Sequence, residues 1–426
     1  MDPRRAEITP SKLISALRRY RLLPAIVFLP TRRRCDESAT EVAGDRSQPA
    51  NAEKEKTRLE VFKAFSALHP EIIGHKHTKT LLRSGVAAHH AGHIPAWKLL
   101  IEKMMSAGLL DAIFATSTVA AGVDFPARSV VISNADTRGN EGWRPLTANE
   151  LQQMTGRAGR RGRDNVGFVI LAPGQFQNPR KIAELLRSPP DRLESRFRST
   201  YTSLLNLLDA FGNFAQVREI TDKSFAFRSN GPGGKRLRSD EVWQQFEDRS
   251  LVLDHFGYLD RKAEKVTHEG KWLADLRIDR PLLVGEALRN AIFDDLQPKE
   301  MAALIASVAA DSDRNYGEMH TSRKVEDLLA EFDEVILSVA RVERLFGVEP
   351  DETLNYSAAA AAERWAQGMD WDELVDRTRA EEGDLVRLLS RTGEALRQIA
   401  GLRLSNAPAA SIAAAAAEAM LREPVR

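Results

Sequence analysis

A single cysteine, Cys35, stands among the 426 residues. One thiol closes no internal disulfide, so the fold rests on packing, and a reducing compartment is its natural setting. Charge of one sign is scarce as well: 61 Lys and Arg against 60 Asp and Glu leave a net charge of +1. No global field draws the chain to nucleic acid, and any such binding rests on local patches. Long apolar runs are missing. None approaches the roughly 18 uninterrupted residues of a membrane-spanning helix. The opening MDPRRAEITP has no apolar core of a secretory signal. These absences exclude a disulfide scaffold and a membrane-spanning bundle, and they predict a cytoplasmic protein with no membrane partner. What is there is 43% apolar and 28% charged, an ordinary globular composition with material for several cores.

The pattern along the chain predicts an α/β domain followed by helical material. Short apolar runs at 24–29 (PAIVFL), 111–116 (DAIFAT), 129–134 (SVVISN) and 166–172 (VGFVILA) are bounded by polar or turn residues, as strands of a buried parallel sheet are. Helical spacing fills the intervals, in AEKEKTRLEVFKAFSAL and IPAWKLLIEKMMSAG. A double proline in RSPPDRLESRF marks a boundary near residue 190. After it come helices, a glycine-rich basic loop (SNGPGGKRLRS, 229–239) and a two-stranded wing around Gly257 and Thr267, which suggest a small winged-helix unit over 191–271. From 272 to 426 the spacing is helical throughout, including an alanine-rich end.

One stretch concentrates charge. QMTGRAGRRGRD (153–164) carries Arg157, Arg160, Arg161 and Arg163 just ahead of an apolar strand. Its start is expected to end a helix over 147–157, and Gly156, Gly159 and Gly162 let the backbone turn tightly. In a helical turn Arg157 and Arg160, three apart, project from the same side. Two guanidiniums presented together suit phosphate oxygens, which they grip through paired hydrogen bonds. A solvated arginine patch is the plain alternative.

Three further stretches accompany it: PAIVFLPTRRRCDESA (24–39), GVAAHHAGHIPAWK (85–98) and FATSTVAAGVDFPA (114–127). With these four in this order the sequence resembles the second RecA-like domain of superfamily-two helicases, in detail the DExH-box superkiller-type RNA helicases. Their motif IV resembles 26–32, their His-His-Ala-Gly element 89–92, their motif V 116–126 and their motif VI 153–162. The resemblance implies that Arg160 is an arginine finger stabilising charge on the γ-phosphate of ATP, flanked by Arg157 and Gln153. Gly122 and Asp124 would lie by the nucleotide, although many family members carry asparagine in place of Asp124. Thr116 and Thr118 would hold RNA phosphates, with Thr31, Arg32 and the turn from His90 to Gly92. The plain alternatives stay open: histidines that only cap a helix, threonines that only brace a loop, an Asp124 that only pairs with the arginines. No cysteine or paired carboxylate completes a ligand set around the histidines, so no metal is expected.

The resemblance extends to the rest of the chain. The segment 191–271 is similar to the family's winged helix, and 272–426 to its helical DSHCT domain. In EGDLVRLLSRTGEALRQI, Leu385, Leu389, Leu396 and Ile399 are spaced to face a core, while Arg387 and Arg391 form a basic pair on another side. As the family's helical domain resembles a floor under the exiting strand, this pair is expected to touch RNA phosphates; a solvated face paired with Glu382, Asp384 or Glu394 is the alternative. A P-loop is missing, for the Gly-Lys pairs at 234–235 and 270–271 are followed by Arg and Trp. A DExH box is missing too. The first RecA-like domain, which holds ATP and Mg2+ in this family, is therefore expected from elsewhere, in cis or in trans. The expected fold is a RecA-like parallel-sheet domain (1–190), a winged helix and an all-α domain, working as the C-terminal portion of an ATP-dependent RNA helicase. A non-catalytic nucleic-acid-binding or regulatory protein that lost its motor is the alternative.

Overall fold

The four apolar runs of the first 190 residues form the strands β1 (Ala25–Phe28), β3 (Ala112–Ala115), β4 (Ser129–Ile132) and β7 (Phe168–Leu171), and the structure adds β2 (Val86–His89), β5 (Asp136–Gly139) and β6 (Gly142–Pro145). The protein is described by a computed structural model that covers residues 7–49, 51–117, 127–139, 142–191, 199–223 and 239–425. Five of the strands pair in parallel in the order β2-β3-β1-β4-β7, and β5 and β6 make a separate antiparallel pair. Strands β1 to β4 are enclosed at every position, which is why they read as continuous apolar runs rather than alternating ones. Edge strand β7 leaves Phe168 and Val169 exposed. The register aligns Ala25 with Ala112 and Ser129, and Phe28 with Ala115 and Ile132, so the strands begin and end level. The three intervals of a four-residue strand, at about 3.3 Å each, set its first and last residues roughly 10 Å apart.

Helices α1 (Pro10–Arg19), α2 (Arg32–Gly44), α3 (Ala52–Ser66), α4 (Thr78–Ser84), α5 (Pro95–Ser106), α6 (Ala148–Thr155) and α7 (Pro179–Arg187) complete this unit. Their starts obey local chemistry. Thr31 caps α2 by accepting from the Arg34 N–H at 3.3 Å, and Thr147 and Glu150 close a reciprocal capping box on α6. Ile14, Leu17, Val27, Val42, Phe114 and Val131 share one core, where each buried aliphatic side chain contributes about 1.5–3 kcal/mol. Charged α3 holds a surprise in this core. Arg58 is buried, and its guanidinium donates to the carbonyls of Leu82, Leu109 and Arg83.

The chain divides into two compact units, Met1–Arg192 and Leu193–Arg426, so that all but the first two residues of 191–271 share the second unit with 272–426. That unit opens with helices Tyr201–Phe211, Phe214–Lys223 and Ser239–His255. A hairpin of Leu259–Asp260 against Lys265–Val266 follows, then helix His268–Asp275. Gly270 is obligatory there, since a Cβ would meet the Tyr258 carbonyl oxygen at 2.0 Å. At the centre lies helix Pro298–Ala309, buried from Glu300 to Ala309, with helices Tyr356–Ala366, Glu382–Ala400 and Ala407–Met420 packed around it. Their alanines permit close approach. Trp365 fills the remaining space and donates its indole N–H to the Met420 carbonyl at 2.9 Å. Among the described residues no helix is long and apolar enough to cross a membrane.

Candidate nucleic-acid and nucleotide surface

The level ends of the parallel strands sort the expected site residues into two groups. Thr31 and Arg32 follow β1, His90 and Gly92 follow β2, and Thr116 follows β3, all at the carboxyl edge of the sheet. In parallel α/β sheets ligands gather in the crevice at this edge. Arg157 and Arg160 lie at the opposite edge. Ala127, two residues ahead of β4, donates to the Arg157 carbonyl at 3.0 Å and accepts from the Gly159 N–H at 2.7 Å. Thr118, Gly122 and Asp124, on the segment that links the two edges, fall outside the described residues.

At the carboxyl edge the His-His-Ala-Gly turn is built from within. His90 is only 2% exposed, so its ring cannot itself reach out to RNA. Its Nδ1 accepts from the Gly92 N–H at 3.1 Å and its Nε2 lies 3.1 Å from Asp36 Oδ1. This corrects the expectation of a direct His90 contact: the ring shapes the turn, and the exposed Ala91 presents its backbone. His77 and His93 approach the same Asp36 oxygen at 3.1 and 3.3 Å. Burial by itself would raise the Asp36 carboxyl, but the close approach of the His77, His90 and His93 rings outweighs it and holds the group well below the usual carboxylate range. Burial pushes the His93 imidazole down to about 3. His89, the last residue of β2, reaches Glu102 at 2.9 Å. Thr31 spends its oxygen on the α2 cap.

At the amino edge α6 stops at Thr155, so Arg157 and Arg160 are not on a helix face as the spacing predicts. They sit in consecutive turns beyond it, and Gly159, at φ +91°, supplies the left-handed conformation that turns the chain. Gly167 packs so closely that a Cβ would meet the Ala158 carbonyl oxygen at 2.4 Å. Arg160 is gripped by Asp164: Nε donates to Oδ2 at 2.8 Å, Nη2 to Oδ1 at 3.0 Å, and the backbone N–H to Oδ2 at 3.0 Å. Arg128 adds a contact to Asp164 Oδ1 at 3.2 Å. Hydrogen bonding from Arg160 holds the Asp164 carboxyl down at about 2. Gln153 is exposed on α6. The sequence reading missed Asp164, although its place four residues after Arg160 was a visible signal. Asp36 had no such signal, being 54 residues from His90.

In the second unit Leu385, Leu389, Leu396 and Ile399 face the core as their spacing predicts. Arg387 and Arg391 are not an open basic pair. Arg391 donates to Asp279 at 2.7 Å and to Asp311 at 2.8 Å, and Arg387 reaches Asp311 at 3.1 Å. The acids on their own helix are engaged differently, Asp384 with Arg314 and Glu394 with Arg397.

Residues 263–426 match the DSHCT (NUC185) domain family. The chain is 37% identical over 236 residues to the DExH-box ATP-dependent RNA helicase DExH15, chloroplastic, of Arabidopsis thaliana, covering 55% of this chain and 19% of that protein. It is 38% identical over 224 residues to the antiviral helicase SKI2 of Saccharomyces cerevisiae, covering 50% and 17%. With the exosome RNA helicase MTR4 of Mus musculus the figure is 35% over 202 residues, covering 46% and 19%. The matched stretch spans less than a fifth of the length of each of these relatives. The domain match and the helicase relatives agree with the motifs at both edges of the sheet: the chain is similar to the C-terminal portion of superkiller-type DExH-box RNA helicases.

Proposed function

We propose that this chain is the C-terminal portion of an ATP-dependent RNA helicase and supplies an arginine finger and an RNA-binding surface. In this reading ATP and its Mg2+ are held mainly by a first RecA-like domain, joined in cis or met in trans, in a cytoplasmic setting. The observation that carries it is the sorting of the motif residues onto two opposite edges of one sheet. At the amino edge Asp164 occupies Nε and Nη2 of Arg160, which fixes the guanidinium plane and leaves Nη1 to meet a γ-phosphate oxygen. A group set in advance stabilises developing charge without reorganising at the moment of reaction. Arg157, Gln153, Gly122 and Asp124 complete the nucleotide side. At the carboxyl edge the exposed Ala91 backbone, Arg32 and Thr116 grip phosphates, a role that Thr118 shares in this reading, which positions RNA without reading its sequence.

The test joins the chain to a matching first RecA-like domain and measures RNA-stimulated ATP hydrolysis. Arg160→Ala is expected to lower kcat by about a thousandfold while RNA affinity stays near that of the parent. Arg160→Lys is expected to restore little, because an ammonium lacks the planar fork. Near-parental turnover in either variant would refute the finger. RNA binding with no stimulated hydrolysis in the joined parent protein would favour a non-catalytic RNA-binding protein.

A further inference from the structure

The helicase reading leaves unexplained why so many imidazoles crowd one carboxylate beneath the His90 turn. The geometry points to a zinc-class metal site formed by Asp36, His90 and His93. Their donor atoms all lie within 4.8 Å of one another. Asp36 Oδ1 is 3.1 Å from His90 Nε2 and 3.3 Å from His93 Nε2. Tetrahedral zinc with bonds of about 2.0–2.1 Å sets its ligand atoms roughly 3.3 Å apart, so these separations already match.

A second observation points the same way. The His93 ring is 1% exposed, yet its Nε2, aimed at Asp36, makes no aligned hydrogen bond. Buried polar atoms are rarely left so. A cation between the three groups would take up that lone pair and relieve the crowding on Oδ1, which His77 Nε2 also approaches at 3.1 Å. Two nitrogens and one oxygen suit zinc or a neighbouring transition metal and disfavour magnesium or calcium, which take oxygen donors. The fourth position is open to water or to a shift of His77. The expectation of no metal rested on a missing carboxylate, and the fold supplies it from α2.

Binding has a structural consequence. With Nδ1 accepting from Gly92, the neutral His90 ring carries its proton on Nε2. To ligate through Nε2 it must move that proton to Nδ1, with no net loss, and Gly92 then loses its acceptor. The His90 and His93 rings, stacked at 4.0 Å and 28°, must also splay so that both lone pairs converge. Metal binding therefore reshapes the Ala91–Gly92 turn. The site itself stands on geometry alone; only an effect on RNA would rest on the helicase reading.

The experiment uses the whole chain, stripped with chelator and titrated with Zn2+ by calorimetry, with metal content measured after dialysis. One zinc per chain is expected, and Co2+ in its place should give the visible absorption of a tetrahedral site. His93→Ala and Asp36→Asn should each weaken zinc binding by at least about tenfold, the lower end of what even outer-shell losses cost. Circular dichroism checks that both variants are folded. In the unsubstituted chain, nitrogen-15 spectra of the imidazoles should show the His90 proton move from Nε2 to Nδ1 on saturation, a readout free of any folding defect. No stoichiometric zinc, unchanged affinity in both folded variants, or a His90 tautomer indifferent to zinc would each overturn the site.

Discussion

Replacing Arg58 tests the account of the first unit most directly. Its guanidinium spans three backbone carbonyls, at 2.7 Å from Leu82, 3.1 Å from Leu109 and 3.2 Å from Arg83. It thereby ties α3 to the end of α4 and to the chain entering β3. Arg58→Ala leaves those acceptors without their donor. Hydrogen bonds from charged donors are worth about 1.5–3 kcal/mol each, a gross loss of about 5–9 kcal/mol for three. Against this stand the desolvation of the guanidinium, no longer incurred, and about 2 kcal/mol of side-chain entropy no longer lost. The net expectation is a loss of about 3–5 kcal/mol, in line with the removal of one partner from a buried charged contact. At about 2–4 °C per kcal/mol for a unit of this size, melting of the first unit should fall by on the order of 10 °C. Calorimetry can follow it, with the two units treated as separate transitions. Arg58→Lys should recover less than half, since an ammonium cannot span three carbonyls. Gly85 supplies a control: it has φ +65°, and a Cβ there would meet Arg58 Nη1 at 2.8 Å. Gly85→Ala should destabilise alone and add less than its full effect in the Arg58→Ala background, because the atom it strikes is gone. A fall of under about 1 kcal/mol for Arg58→Ala would refute the three-carbonyl clamp.

Two further outcomes follow from close contacts elsewhere. Gly167→Ala should destabilise the first unit by about 1–3 kcal/mol, because its Cβ meets the backbone of Ala158 and Gly159, which cannot step aside; an unchanged calorimetric melt would contradict that. The Arg387→Ala/Arg391→Ala pair should lower stability of the second unit by about 1–2 kcal/mol, less at high salt, through the lost contacts to Asp279 and Asp311. An unmoved melt combined with weaker RNA binding and a flatter salt slope would restore the phosphate-contact reading.

Much of the fold was legible because local interactions encode it. Apolar runs enclosed on both faces announced β1, β3 and β4, and leucines at helical spacing announced the core side of helix Glu382–Ala400. The order of the four motifs, with Arg157 and Arg160 between β6 and β7, carries the resemblance to superkiller-type helicases. Side-chain partners distant in the sequence were decided only by the tertiary structure. Arg58 reads as one more solvated charge on α3, and only the arrival of α4 and the β3 approach encloses it. Asp36 meets His90 across 54 residues, and Arg391 meets Asp279 across 112. Sheet order placed Thr31, His90 and Thr116 at one edge and Arg157 and Arg160 at the other. The reason is physical: periodicity and caps report interactions within about one helical turn, whereas which distant groups converge depends on how the elements pack, and no local pattern carries that.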